Sequence, residues 1–140
     1  MTKEVQLTIT GLQAAPGEEE DAVELVTTGE YYFRNRKHFL IYDEPVEGYE
    51  KPNHNMVKFA PGYLELTKKG VTESHMIFEI GKKHITPYHT PFGSLLLGLD
   101  AKRVDIMESD DYICVNAAYA LDVNEEFLAD CDICIKIKAL

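Results

Sequence analysis

The chain has 140 residues, 45% hydrophobic and 10% aromatic, which suits one domain with a packed core and excludes a disordered or fibrous chain. Its 24 acidic residues outweigh 14 basic ones, for a formal charge of −10. That balance argues against nucleic acid, whose non-specific binding draws on Lys and Arg to displace counterions, and against an anionic membrane surface.

The opening stretch from Met1 to Thr10 holds no apolar block of signal-peptide length, and runs such as Leu95 to Leu97 are far too short to span a membrane. A cytoplasmic protein is expected. The three cysteines, Cys114, Cys131 and Cys134, are odd in number and come without a secretory signal, so reduced thiols are expected.

In chain order the apolar period is two. Val5, Leu7 and Ile9 alternate with Gln6, Thr8 and Thr10, which predicts a first strand. The acidic run Glu18 to Asp21 reads as a solvated turn before the second. Tyr31-Tyr32-Phe33 and Phe39 to Tyr42 flank a turn at Asn35 to Lys37. This predicts a hairpin with Tyr31, Phe33, Phe39 and Ile41 on one face and Arg34 and Arg36 on the other. The acidic, proline-bounded loop Asp43 to Asn53 has the composition of a lid over a barrel mouth.

Further on, Met76 and Phe78 alternate with His75, Ile77 and Glu79. Ile113, Val115, Ala117, Tyr119 and Leu121 form another alternating run, and so do Cys131, Ile133, Ile135 and Ile137. Turn signals separate these runs at Pro16-Gly17, Gly29, Asn35-Arg36, Pro45 to Pro52, Pro61-Gly62, Lys69-Gly70, Gly81, Pro91 to Gly93, Ser109-Asp110 and Asn124-Glu125. Only Asn124 to Cys131 offers a short helical candidate. The pattern predicts an all-β chain of about nine to eleven strands in one meander. Consecutive hairpins close most naturally into an antiparallel up-and-down β-barrel, which removes free edges.

No motif carries a recognisable chemistry. Cys131-Asp132-Ile133-Cys134 spells C-x-x-C, but positions i and i+3 of a strand point to opposite faces. Cys114 and Cys134 are expected to meet as thiols on neighbouring strands. The histidines His38, His54, His75, His84 and His89 lack metal-ligand spacing, and no nucleophile elbow, phosphate loop or dinucleotide fingerprint occurs. His75 and Glu79 share a predicted face without forming a catalytic set. Accordingly no catalytic residue, metal or cofactor is assigned, and a non-enzymatic role is favoured.

The stretch Tyr88-His89-Thr90-Pro91-Phe92-Gly93 is read as a corner. Pro91 fixes its own φ and pushes Thr90 into an extended conformation, and Gly93 supplies a backbone angle that a Cβ resists. Thr90 is expected to satisfy a backbone group freed at the break and Phe92 to plug one end of the barrel. The pattern Tyr88-x-Thr90-Pro91-Phe92-Gly93 followed by an alternating strand resembles the signature of the YwiB-like family of bacterial proteins. The hairpins Thr27 to Glu44 and Gly62 to Gly81, and the late strands around Tyr112 to Leu121 and Asp132 to Leu140, extend that resemblance over nearly the whole chain. Lys51 to Met56 departs from the family's usual Thr-rich segment. The resemblance implies one calycin-like, or lipocalin-like, barrel domain over residues 1–140, and it implies no reaction.

An enzyme of unrecognised type, which would need a polar group buried in the cavity with a partner that shifts its pKa, is the least favoured reading, and two other functions are weighed from these residues. One is binding of a small apolar to amphipathic molecule inside the barrel, with Tyr31, Phe33, Phe39, Ile41, Met76, Phe78, Val115 and Tyr119 as the cavity wall. The other is a protein–protein interaction module acting through its outer surface, motivated by Tyr32, Tyr42, Tyr49 and Tyr63. Strands apolar on both faces, as at Leu40 and Ile77, point to an exterior covered by a second subunit in a homodimer.

Overall fold

The computed structural model describes residues 3–11 and 24–140; the turn at Pro16-Gly17 and the carboxylates Glu18 to Asp21 lie outside them. Ten strands occur among the described residues: β1 (Glu4–Thr10), β2 (Glu24–Arg34), β3 (Lys37–Glu44), β4 (Asn53–Ala60), β5 (Tyr63–Lys69), β6 (Glu73–Glu79), β7 (Lys83–Thr90), β8 (Gly93–Glu108), β9 (Tyr112–Val123) and β10 (Glu126–Ala139). Each pairs antiparallel with its neighbours in sequence, and β1 pairs with β10 from Val5 opposite Ala139 to Thr10 opposite Cys134. The sheet is therefore the expected closed up-and-down barrel. The helical candidate at Asn124 to Cys131 is instead a turn at Asn124-Glu125 followed by the start of β10. No helix among the described residues is long and apolar enough to cross a membrane.

The period-two pattern decides which side chains point inward. Val5, Leu7 and Ile9 are buried, as are Met76 and Phe78, Ile113 to Leu121 at alternate positions, and Ile133, Ile135 and Ile137. In β8 the inward set begins as Leu97, Leu99 and Ala101 and resumes one position late at Val104, because a bulge between Ala101 and Arg103 inserts an extra residue. Phe78 and Tyr119 meet edge to face across the core, their ring centroids 4.7 Å apart. Phe59, Phe78, Leu40, Leu64, Leu99, Val115 and Ile135 are 0% exposed. A side chain with no exposed surface borders neither bulk water nor a void that could hold a water molecule, so these seven are packed on every side.

The aromatic hairpin of β2 and β3 differs from the sequence expectation. Its turn contains two residues, Asn35 (φ 53°) and Arg36 (φ 62°), as in the mirror-image turns that match strand twist. Tyr31 consequently faces Leu40, and Tyr32 faces Phe39. Counting the turn as three residues slips the register by one and exchanges the faces of one strand. Tyr31 is buried, whereas Phe39 and Ile41 stand on the outer wall and Phe33 is exposed at the rim. Tyr42, expected on the surface, is buried on the inward face. Gly29 is no turn either: it lies within β2, where an added Cβ would sit 2.7 Å from the Ile41 carbonyl oxygen.

The corner at Tyr88 to Gly93 is a tight hairpin between β7 and β8, with Thr90 opposite Gly93. The Phe92 N–H donates to Thr90 Oγ1 (3.2 Å), whose hydroxyl donates to the Gly93 carbonyl (2.9 Å). Thr90 thus satisfies the backbone at the break as expected. Gly93 adopts φ 134° with open space around it, so its backbone angle, not crowding, favours glycine. Phe92 does not plug the barrel: it is 98% exposed at the tip.

Candidate functional site

Three strands carry their inward parity past the apolar core into polar residues at the same end of the barrel. After Leu40 and Tyr42 on β3 comes Glu44; before Val57 and Phe59 on β4 come Asn53 and Asn55; after Leu64 and Leu66 on β5 comes Lys68. Ser74 on β6 and Thr86 and Tyr88 on β7 complete the ring, and all but Glu44 are buried. The loop Pro45 to Pro52 leaves from this end.

Glu44 is the hub. Its Oε1 accepts from Lys68 Nζ (3.1 Å), Asn53 Nδ2 (3.2 Å) and Asn55 Nδ2 (3.2 Å), and its Oε2 accepts from Lys68 (3.3 Å). The Lys68 side chain is 10% exposed and that of Glu44 24%. Burial pushes the Glu44 pKa up, but the Lys68 charge and the amide hydrogen bonds outweigh it, so the carboxyl is held below its ordinary value. Tyr42 is pushed up to about 12, first by burial, with an Asn55 hydrogen bond pulling it down and the Glu44 charge adding to the rise. Tyr88 rises by burial and then by the Glu44 charge. Both phenols therefore keep their O–H at neutral pH. Asn55 Oδ1 and Ser74 Oγ are buried without a hydrogen-bond partner, a costly state for polar atoms.

The barrel wall beside this end is thinly paired. The β6–β7 ladder consists of Glu73 opposite His89 and Ser74 opposite Tyr88, with a further bridge from Glu79 to Lys82. Pro87 is opposite Leu96 on the β8 side, lies next to the last β6–β7 pair and has no N–H to give either ladder. A groove of about 680 Å³ crosses the outer wall here and counts Lys68, Ser74 and Thr86 among its lining residues. The arrangement can hold a polar molecule by a carboxylate, an ammonium, two phenol O–H groups and two acceptor-capable oxygens.

The opposite end also buries a polar group. Tyr31 Oη and His38 Nδ1 share a hydrogen bond (2.6 Å), and His38 Nε2 lies 4.0 Å from Glu108 Oε1. The ring stacks on Phe59 at 4.5 Å and packs against Phe33 at 4.7 Å. Burial lowers the His38 pKa, with the Glu108 charge opposing, and burial followed by Glu108 raises Tyr31 to about 12.

Of the eight residues expected to line a cavity, Tyr31, Met76, Phe78, Val115 and Tyr119 face the interior among the core side chains, Phe33 has the same parity as Tyr31 and packs on His38 but is exposed at the rim, and Phe39 and Ile41 point outward. His75 pairs with Glu65 (2.6 Å) on the outer wall, and Glu79 with His84 (3.0 Å). No cluster of metal-ligating side chains occurs among the described residues. Cys114 and Cys134 are free thiols whose sulfurs lie 3.9 Å apart, diagonal in the ladder. Sequence reasoning missed Glu44, Asn53, Asn55, Lys68 and Ser74, because charged and amide residues beside turns read as solvated. Extending the inward parity of each strand by one or two positions would have found them.

The family model described as a domain of unknown function, DUF1934, matches residues 7–135. An uncharacterised β-barrel protein, YwiB of Bacillus subtilis (strain 168), is 27% identical over 108 residues, spanning 76% of this chain and 74% of that protein. The crystal structure of the B. subtilis YwiB protein superposes with a TM-score of 0.75 at 19% identity, covering 98% of this chain and 90% of that one.

Proposed function

The chain belongs to the DUF1934 family of unknown function, and from that premise we propose that it is a non-enzymatic binding barrel for a small polar to amphipathic molecule held at the Glu44–Lys68 end. We place it in the cytoplasm, by the sequence argument alone, and liken it to lipocalin-like barrels by analogy. The observation that carries the proposal is the buried Glu44–Lys68 pair beside the unpartnered Asn55 Oδ1 and Ser74 Oγ. An ion pair withdrawn from water is seldom needed for stability, since apolar residues of similar volume hold a core as well or better. Charged and orphaned polar atoms inside a barrel whose buried side chains are mostly apolar are therefore better explained by a ligand than by folding. This reading sets the site at this end rather than along the aromatic wall, with the ligand offering donors to Asn55 Oδ1 and Ser74 Oγ.

Native mass spectrometry of protein isolated gently from its own host tests this. A discrete adduct that is lost on denaturation and absent from the Lys68→Met variant is expected. A bare wild-type mass, or an adduct indifferent to Lys68, would overturn the proposal.

A further inference from the structure

Two apolar patches occupy opposite sides of the outer wall, and their rims carry opposite charge. The first crosses β2, β3 and β4. Register sets Tyr32 against Phe39 and Ile41 against Met56. These four, with Arg34 and Asn35, line a groove of about 420 Å³ in which Ile41 is 45% and Met56 36% exposed. Cations outnumber anions around it: Lys3 and Arg34 lie 5.6 and 5.7 Å from the Tyr32 ring centre and Lys58 lies 5.7 Å from that of Phe39, whereas one carboxylate, Glu30, accepts from the Tyr32 O–H (2.8 Å).

The second patch joins β7, β8 and the turn into β10. Ile85 is 61% exposed, Leu96 37% and Phe127 64%, with Phe92 98% exposed at the hairpin tip and the Lys83–Asp122 ion pair lying over Gly98 between Ile85 and Phe127. Asn124 fixes the turn against β8, its N–H donating to the Leu96 carbonyl (2.8 Å) and its Oδ1 accepting from the Leu96 N–H (3.0 Å). The exposed Glu125 and Glu126 form an acidic rim and take part in no ion pair among the described residues.

Exposed apolar patches with polar rims mark contact surfaces. In the ring of ten strands β3 and β8 stand five places apart, so one molecule cannot bring its own two patches together. We propose that a second copy of this chain is the occupant: the acid-rimmed patch around Phe127 and Leu96 docks on the cation-rimmed groove at Tyr32 and Phe39 of the next molecule. The opposite rims set orientation. Because the two surfaces differ, the contact is head to tail and propagates beyond a dimer unless the rotation closes a ring. The proposal uses the outer wall alone and stands or falls independently of the interior site.

Two exposed-site variants test it, Ile41→Glu in the groove and Phe127→Glu in the opposite patch, with circular dichroism and thermal melting confirming that both fold. In sedimentation equilibrium the wild type should give concentration-dependent species larger than a dimer. Each variant alone should be monomeric, and an equimolar mixture should recover a dimer, because each supplies the surface the other lacks. A wild-type monomer throughout would overturn the proposal. So would a dimer that only one substitution abolishes, a mixture that stays monomeric, or groove binding of an acidic peptide or single-stranded nucleic acid by a wild type that does not self-associate.

Discussion

At the Pro45–Pro52 end of the barrel a carboxyl is kept charged, and at the other end an imidazole is kept neutral. Glu44 is surrounded by an ammonium and two amides that donate to it, whereas His38 is enclosed by Phe59, Phe33 and a phenol. Both groups have lost water. Burial shifts the balance toward the uncharged form in each case, and only at Glu44 do neighbouring donors and a cation overturn it. Burial alone therefore does not decide the charge state inside this barrel; the side chains on adjoining strands do.

The largest test removes one charge. Lys68→Met leaves Glu44 without its cation and should destabilise the barrel by roughly 2–4 kcal/mol, below the cost at a fully dry site because Glu44 retains some access to water. Adding Glu44→Gln should recover most of that loss, measured by urea unfolding. A double variant as unstable as the single one would mean that the ion pair itself holds this end together. His38→Phe should cost about 1–3 kcal/mol at neutral pH, because the buried Tyr31 hydroxyl loses its hydrogen-bond partner.

Acid titration sharpens the contrast. Both folded-state pKa values are lowered, so in both windows the unfolded chain binds more protons and stability falls with pH. The His38 contribution is complete above its ordinary value of 6.5 and is lost as pH falls through the lower folded value. The Glu44 contribution is complete above 4.5 and is lost only below that. Urea midpoints should decline in two stages in the wild type. The upper stage should disappear in His38→Phe, and its persistence would place the titrating group elsewhere.

The smallest effect should be equal at the two ends. Each carries a two-residue turn with positive φ throughout, Asn35-Arg36 and Asn124-Glu125. Arg36→Gly and Glu125→Gly should each stabilise by about 0.5–1 kcal/mol, because glycine adopts that conformation without a Cβ penalty. Unequal melting shifts would show that the ends differ in their turns as well as in their interiors.

The barrel was legible in the sequence because alternation in β1, β6, β9 and the Cys131 to Ile137 run of β10 is uninterrupted and turn residues punctuate it. The faces of Phe39 and Ile41 were not, since one residue more or less in a turn reverses a strand and both counts fit Asn35-Arg36-Lys37. The polar end was hidden for another reason. Lys68 stands beside Lys69 and Gly70, and Asn53 follows Pro52, so local composition signals solvent. Only the parity inherited from Leu66 and Val57 signals the interior. Phe92 misled in the opposite direction: an aromatic between Pro91 and Gly93 looks like a plug, but hairpin geometry holds it outside.

The pairing of β1 with β10, from Val5–Ala139 to Thr10–Cys134, also sets a timetable for synthesis. Every other ladder joins neighbours in sequence and can form as the chain leaves the ribosome. The seam that completes the cylinder joins the earliest strand to the latest, across the greatest loop-closure distance in the molecule. Until β10 emerges, β1 and β9 each present an unpaired backbone edge. The nascent chain is therefore most open to mispairing during translation, and the final strand acts as the clasp that ends that period.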